Sequence, residues 1–405
     1  MEKLFHLCLN SESDPVKKHL LQHHSMEIEI IKVSNKGHLR TFINLTAKIH
    51  RNDPHWLPPV YADEWNYFNP AKNKGFNHCE TILVLAYHQK KAVGRIMGII
   101  HRSYNQLTSE KTARFSHFEC FNIPEAAAAL LSYIENWALK LGADMVAGPY
   151  GFSDKDPQGF RIEGFDDLPL IDIASNHPYM VTLTLDNGYV PMIDCMTYRF
   201  NIDLVLPDIY KRVQQRVING NRFKMHEFTK KRELKKQIVP VLRLVNQTYG
   251  QLYGFYPMDE EEMHDLADRY MPVLDPRFIK TVTHNGELVA FIVGLPNMSK
   301  GIQRAKGKLF PFGWYHILKN MRSTSQLDLM LGAIKPEHQG LGLEISMGML
   351  MLESARQAGI KNIETHLILE TNTKMRSVVE RIDAKMVKRF RVFQKKLYPK
   401  TPTVN

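Results

Sequence analysis

Cysteine is scarce in this 405-residue chain. The four present, Cys8, Cys79, Cys120 and Cys195, stand far apart with no CxxC pair, which excludes a disulfide-stapled secreted scaffold and a zinc ribbon. Long apolar runs are missing as well. Stretches such as Ile82 to Tyr87 and Ile96 to Ile100 are strand-sized, well short of the ~20 residues of a membrane span. The opening MEKLFHLCLN reaches Ser11, Glu12 and Asp14 too soon to be a secretory signal, so the sequence predicts a protein of the reducing cytoplasm. No Walker GK[ST], GxSxG or kinase signature occurs. What remains is a globular composition, 44% hydrophobic and 23% charged, long enough for two or three domains.

Negative charge is short in only one half. Residues 1 to 205 hold 20 Lys and Arg against 23 Asp and Glu, whereas residues 206 to 405 hold 33 against 19. A basic half concentrates polyanions such as nucleotides, phosphorylated cofactors, RNA or anionic lipid, or it is a solvated face that aids solubility.

Residues 1–25 carry no sustained period and read as an extension, and a domain begins at Met26. A helix over Lys36 to His50 leads to the proline-rich turn RNDPHWLPP. Strands follow at Thr81 to Tyr87, Val93 to His101 and Ala113 to Phe121, then a helix from Pro124 to Leu141 with proline in its first turn and Gly142 beyond its end. Ala143 to Gly148 is another short strand. The second half repeats this order. It has a helix over Thr229 to Tyr249, a helix capped by Asp259 with Glu262 three residues on, and a hairpin turning at Asn285-Gly286. A strand Gln326 to Ile334, a helix Leu343 to Ala358, a strand Ile363 to Leu369, a helix Lys374 to Ile382 and a strand Val387 to Lys396 complete it. Val93-Gly94 aligns with Val289-Ala290, and Leu141-Gly142 with Ala358-Gly359. The economical reading is two copies of one α/β unit with a mixed sheet, residues 26–205 and 206–405.

The sharpest local signal is KPEHQGLGLEISMGMLML, Lys335 to Leu352, set between a strand and a helix. The backbone N–H groups of Gln339, Gly340, Leu341, Gly342 and Leu343 can converge there on one anion, helped by the helix N-terminus. A pyrophosphate fits this site, and the turn is not the dinucleotide GxGxxG, because Ile345 occupies the third glycine position.

A strand, a turn at the place of the Q-x-x-G-x-(G/A) motif, a helix, a strand, then Asn372 and an amphipathic helix make a motif order that resembles the Gcn5-related N-acetyltransferase (GNAT) superfamily, from about residue 222 to residue 397. The first half resembles a degenerate copy lacking the glycine turn. Stretches such as NDPHWLPP and GKLFPFGW are similar to bacterial tandem proteins of this superfamily. The resemblance implies acyl transfer from acetyl-CoA or another acyl-CoA to a small-molecule or peptide amine. It implies that the pantetheine arm lies between splayed strands at Leu329 to Ile334 and Ile363 to Leu369, with the pyrophosphate on Gln339 to Gly342. It further implies that a bulge aims a backbone N–H near Gly332 or Ala333 at the thioester carbonyl, and that Asn372 touches the pantetheine or the thiol side.

For a general base the first candidate is Glu370, at the end of the second splayed strand; His366, on the same strand face, is the second and Asp328 a third. The sequence departs from the superfamily pattern in places. Glu344 stands where a small residue is usual, Val379 where many members carry a proton-donating tyrosine, and Asp383-Ala384 where Gly-Phe usually follows. These motivate a different reading, a non-catalytic binding or regulatory protein on a decayed scaffold. The basic half motivates another, an aminoacyl-tRNA-dependent transferase with tRNA as partner. His78-Cys79 and His117 to Cys120 read as ordinary strand residues, and Leu309 to Lys319 as an aromatic segment that packs, covers the cleft or touches an apolar acceptor.

Overall fold

The computed structural model describes residues 27 to 398 apart from Ala174. The expected extension 1–25 lies outside the described residues. The strands are β1 (Glu29–Lys32), β2 (Cys79–His88), β3 (Lys91–His101), β4 (Thr112–Cys120), β5 (Met145–Gly148), β6 (Phe160–Glu163) and β7 (Val190–Asn201). After these come β8 (Lys224–Glu227), β9 (Ile279–His284), β10 (Glu287–Pro296), β11 (Gln326–Ile334), β12 (Asn362–Thr365), β13 (Ile368–Leu369) and β14 (Lys385–Lys396). All join one mixed sheet, in the order β1-β2-β3-β4-β5-β14-β7-β12-β11-β10-β9-β8, with β6 on β14 and β13 on β7.

The final strand does not stay with its own half. β14 lies antiparallel between β5, where Phe393 faces Gly148, and β7, where Arg391 faces Asp194. β7 in turn pairs with β12, Ile363 facing Phe200. The last strand of each half is therefore built against the sheet of the other. Their alignment is marked by a buried polar network. Glu364 accepts from Lys388 Nζ at 2.6 Å, from Thr197 Oγ1 at 3.1 Å and from Arg199 at 2.7 Å. Lys388 and Glu364 are fully buried, so any other register would strand a charge in the core.

Helices cover both faces where their apolar stripes require it. Phe42, Ile43 and Leu45 of the helix Lys36–Ile49 pack with Leu85, Met97 and Ile99. Leu130, Leu131 and Ile134 of the helix Pro124–Lys140 pack with Ile82, Val84 and Ile96. In the second half Met351 and Leu352 of the helix Leu343–Gln357 pack with Leu327 and Ile363, whereas Val241, Leu242 and Val245 of the helix Ile238–Thr248 pack against Phe291.

Two expected elements break. The helix expected over Thr229 to Tyr249 divides into Lys231–Leu234 and Ile238–Thr248. The strand expected over Ile363 to Leu369 divides at His366-Leu367 into β12 and β13; β7 pairs with both, but the pairing with β11 ends at Thr365. The aromatic segment, expected as a connection, contributes the helix Gly313–Ser323.

Candidate functional site

The parallel β11–β12 pair runs only from Gln326 opposite Asn362 to Leu329 opposite Thr365. The His366 N–H donates to the Leu329 carbonyl at 2.8 Å, and there the strands part. Beyond that point β11 keeps β10 on one edge and, among the described residues, has no strand on the other. Val293 faces Leu331 and Gly294 faces Leu329, so Met330 is an extra residue in β11. The bulge expected in this strand thus lies at Met330. Antiparallel pairing alternates the direction of the backbone groups, and the open edge presents Gly332 while Ala333 turns to β10. Two contacts on that edge agree with this. Tyr249 Oη donates to the Gly332 carbonyl at 3.1 Å, and Gln339 Nε2 donates to the Ile334 carbonyl at 3.2 Å.

β11 passes through a tight turn at Pro336–His338 into the glycine loop and the helix Leu343–Gln357. Gly340 and Gly342 both have left-handed backbones, with φ of 73° and 85°. The two glycines differ in surroundings. A Cβ on Gly342 would come within 2.4 Å of Val213, on the helix Asp208–Asn219, whereas one on Gly340 would meet nothing within 4 Å. Leu343 is buried in the core below. The accessible face of the predicted anion turn is therefore Gln339, Gly340 and Leu341. A cation stands over it: Lys374 Nζ donates to Gln339 Oε1 at 3.1 Å. Lys374 belongs to the helix Thr373–Glu380, whose first turn is capped by Asn372, which accepts the Met375 N–H at 3.2 Å. No motif marked Lys374 in the sequence, because its position depends on how this helix packs beside the turn. Glu344 lies in the first helical turn on the cleft wall, and its Oε2 is buried without a hydrogen-bond partner.

The open edge of β11 faces a cleft of about 1430 Å³ between the two halves. Gly332, Ala333, Ile334, Gln339, Gly340, His366 and Asn372 line it; Glu370 does not. The Glu370 side chain is exposed and accepts the Asp194 N–H at 3.0 Å, on the β7 side of the strand. Asp328 is enclosed in the sheet, where it accepts from Asn297 and Gln326, both at 2.8 Å, and burial raises its pKa to about 7. Of the three base candidates, then, only His366 reaches the cleft. It stands where the strands part. Burial lowers its pKa to about 4, partly offset by a hydrogen bond to the Ile171 backbone, and Nε2 is enclosed with no partner. The lowered pKa favours the neutral ring, which leaves Nε2 enclosed at the cleft wall without a hydrogen-bond partner.

Tyr249 was not singled out in the sequence. It ends the helix Ile238–Thr248, and burial pushes its pKa up to about 12, so its hydroxyl stays protonated. Val379 is buried among Met196, Tyr198 and Ile368. The wall near Tyr249 is apolar, with Ile238, Val241, Val245, Phe291 and Val293. The end formed by the first half carries both signs, Asp63, Glu64, Asp156 and Asp172 with Lys72, Lys74, Arg95 and Lys155; burial raises the pKa of Asp63, Asp156 and Asp172. In the first half the helix Pro124–Lys140 follows Ile123, which gives no side-chain cap, and no glycine turn precedes it.

No protein-family model matches the chain. It is similar to Protein YghO of Escherichia coli (strain K12), 28% identical over 384 residues, or 90% of this chain and 94% of that protein. It is also similar to a protein named bacterial ceramide synthase from Caulobacter vibrioides, 26% identical over 385 residues, covering 92% and 98%. Among solved structures, a tandem GNAT protein from the clavulanic acid biosynthesis pathway superposes with a TM-score of 0.52 at 12% identity, over 93% of this chain and all of that one. A GCN5-related N-acetyltransferase from Sphaerobacter thermophilus gives 0.50 at 11% identity, over 92% and 96%. The fold is that of tandem GNAT proteins.

Proposed function

We propose that this chain is an acyl-CoA-dependent N-acyltransferase, in which residues 206–405 hold the acyl-CoA and residues 26–205 complete the acceptor side of the cleft. The observation that carries this reading is the unpartnered edge of β11, with the Gly332 backbone open to the cleft and leading directly to the turn at Gly340. An amide-bearing arm can pair with such an edge, and a pyrophosphate can approach a glycine that has free space above it. Gln339, Gly340 and Leu341 would hold the phosphates, with Lys374 as the nearby cation. The buried Oε2 of Glu344 opposes them.

Acyl transfer forms a C–N bond as a C–S bond breaks and leaves a thiolate; an amine that arrives as an ammonium gives one proton to solvent before it attacks, and the neutral amine loses one more as the amide forms. His366 Nε2 accepts that proton, directly or through water. Charge building on the carbonyl oxygen is met by two donors set side by side, the Gly332 N–H and the Tyr249 hydroxyl, which can turn from the Gly332 carbonyl. A thiol of ordinary pKa, about 8.5, leaves without an acid, so the apolar Val379 is no obstacle. Carboxylates and cations together make the first-half end polar enough to hold an amine-bearing head, and the apolar wall suits an aliphatic chain on the acyl group or the acceptor. The similarity to a protein named bacterial ceramide synthase agrees with an apolar substrate.

The test is release of free thiol from acetyl-CoA and palmitoyl-CoA across a panel of short and long-chain amines. Turnover with any of them supports transfer. Tight acyl-CoA binding with no turnover favours the non-catalytic reading motivated by Glu344 and Val379. Neither binding nor turnover, with aminoacyl-tRNA accepted as donor, favours the tRNA-dependent one.

A further inference from the structure

We propose that the aromatic segment from Leu309 and the helix Gly313–Ser323 form a docking surface for an anionic lipid bilayer. Large apolar side chains rarely cluster in water without a partner. Here Phe310 is 81% exposed and Phe312 70%, and Trp314, Tyr315 and Leu318 are exposed beside them. The helix is fixed from behind. Gly301, on the neighbouring helix Ser299–Arg304, lies against the Ile317 backbone, and the Gly301 N–H donates to Asn320 Oδ1 at 2.7 Å. Gly313 and Ile317 are the buried residues of the helix, so Trp314, Tyr315 and Leu318 are left facing outward.

The segment itself carries one sign of charge, and the acidic residues Asp166 and Asp167 lie beside Lys300 and Arg304 at its edge toward the first half. From residue 288 to residue 327 the sequence holds no Asp or Glu, but has Lys300, Arg304, Lys306, Lys308, Lys319 and Arg322, all exposed. Aromatic side chains framed by lysine and arginine match the boundary between lipid headgroups and acyl chains. The rings enter the boundary and the cations meet phosphate. The Trp314 indole N–H is already satisfied by the Pro311 carbonyl at 3.1 Å, so burying that ring leaves no bare donor.

The patch also adjoins the cleft. Gln303 Nε2 donates to the Pro54 and Trp56 carbonyls, and the Tyr61 N–H to the Gly307 carbonyl at 2.9 Å. Trp56, Leu57, Pro58, Pro59, Val60 and Ile302 line the cleft. Docking would set this wall beside the lipid, a position from which an aliphatic substrate can enter without crossing water. The surface stands whether or not the chain transfers acyl groups, since vesicle binding is measured without acyl-CoA or amine.

The experiment is flotation with vesicles of equal parts phosphatidylglycerol and phosphatidylcholine, set against pure phosphatidylcholine, with sedimentation velocity on the same samples. The wild-type chain should float with the anionic vesicles and detach as salt rises. The triple variant F310A/F312A/W314A and the double variant K306E/K308E should each lower the partition coefficient at least tenfold while keeping the wild-type circular dichroism spectrum. A wild-type chain that stays in the buffer, or either variant floating as the wild type does, overturns the proposal. So does a wild-type dimer that ignores vesicles and that the triple variant splits, which would make a second copy the occupant.

Discussion

The Tyr249 hydroxyl lies 3.1 Å from the Gly332 carbonyl oxygen and 3.5 Å from the Gly332 nitrogen, at the edge where β11 has lost its neighbour. One phenol thus touches both backbone groups on the open side of the strand. If that hydroxyl is a donor to the reacting carbonyl, Tyr249→Phe should lower kcat by roughly 10 to 10² while KM for acyl-CoA changes little. Steady-state kinetics decide it, and an unchanged kcat would leave Tyr249 with packing alone. Val379→Tyr should not raise the rate, because thiolate departure needs no acid.

His366 and Glu370 separate cleanly. His366→Asn should reduce kcat/KM by roughly 10² to 10⁴, and Glu370→Gln should stay near wild type, since Glu370 is bonded to the Asp194 amide outside the cleft. The opposite ranking would return the base role to the strand end.

His366 also has a signature in stability. Its folded pKa, about 4, is below the ordinary 6.5, so the unfolded chain binds protons more readily between those values. Stability is full above pH 6.5 and is lost as pH falls toward 4, by roughly 1.4 kcal/mol for each unit of depression. Urea unfolding of His366→Phe should be less acid-sensitive than wild type over this window. Parallel pH curves would contradict the burial of the ring.

Glu364 is the stability counterpart at the centre of the sheet. Removing its carboxylate leaves Lys388 buried without a partner, so Glu364→Leu should cost about 3 to 5 kcal/mol, while a joint Glu364→Leu, Lys388→Met replacement should recover much of that. Denaturant midpoints of the two variants measure the difference.

Much of this site is readable in the chain, and the unreadable part has physical reasons. The run from Gln326 through Gly342 announces a strand, a turn and a helix because β propensity, two glycines and a helical period follow one another locally. The capping at Asp259 and the turn at Asn285-Gly286 are equally local, and both occur as expected. Sequence cannot display partners distant in the chain. Glu370 and His366 look alike as strand residues, and only the parting of β11 from β12 after Thr365, with Glu370 bonded to the Asp194 N–H of β7, decides which one faces the cleft. Tyr249, Lys374 and the crossing of β14 into the first half depend on tertiary packing, with no local signal to announce them.

Glu344 gives a sign test for the phosphate position. Replacing it with alanine removes a carboxylate from the wall beside the turn, so Glu344→Ala should tighten coenzyme A binding, and the gain should shrink as salt is added. Weaker binding in this variant would make the buried Oε2 a ligand contact.

The most direct measurement is calorimetric titration of acyl-CoA into the wild-type chain and into Gly340→Asp, with Gly340→Asn as control. Both replacements place a side chain on a left-handed residue with free space above it, but only one adds charge. One acyl-CoA should bind per chain, and Gly340→Asp should bind at least tenfold more weakly, about 1.4 kcal/mol, with Gly340→Asn in between. Two sites per chain, or an aspartate variant that binds as tightly as the wild type, would contradict a single site on the second-half turn.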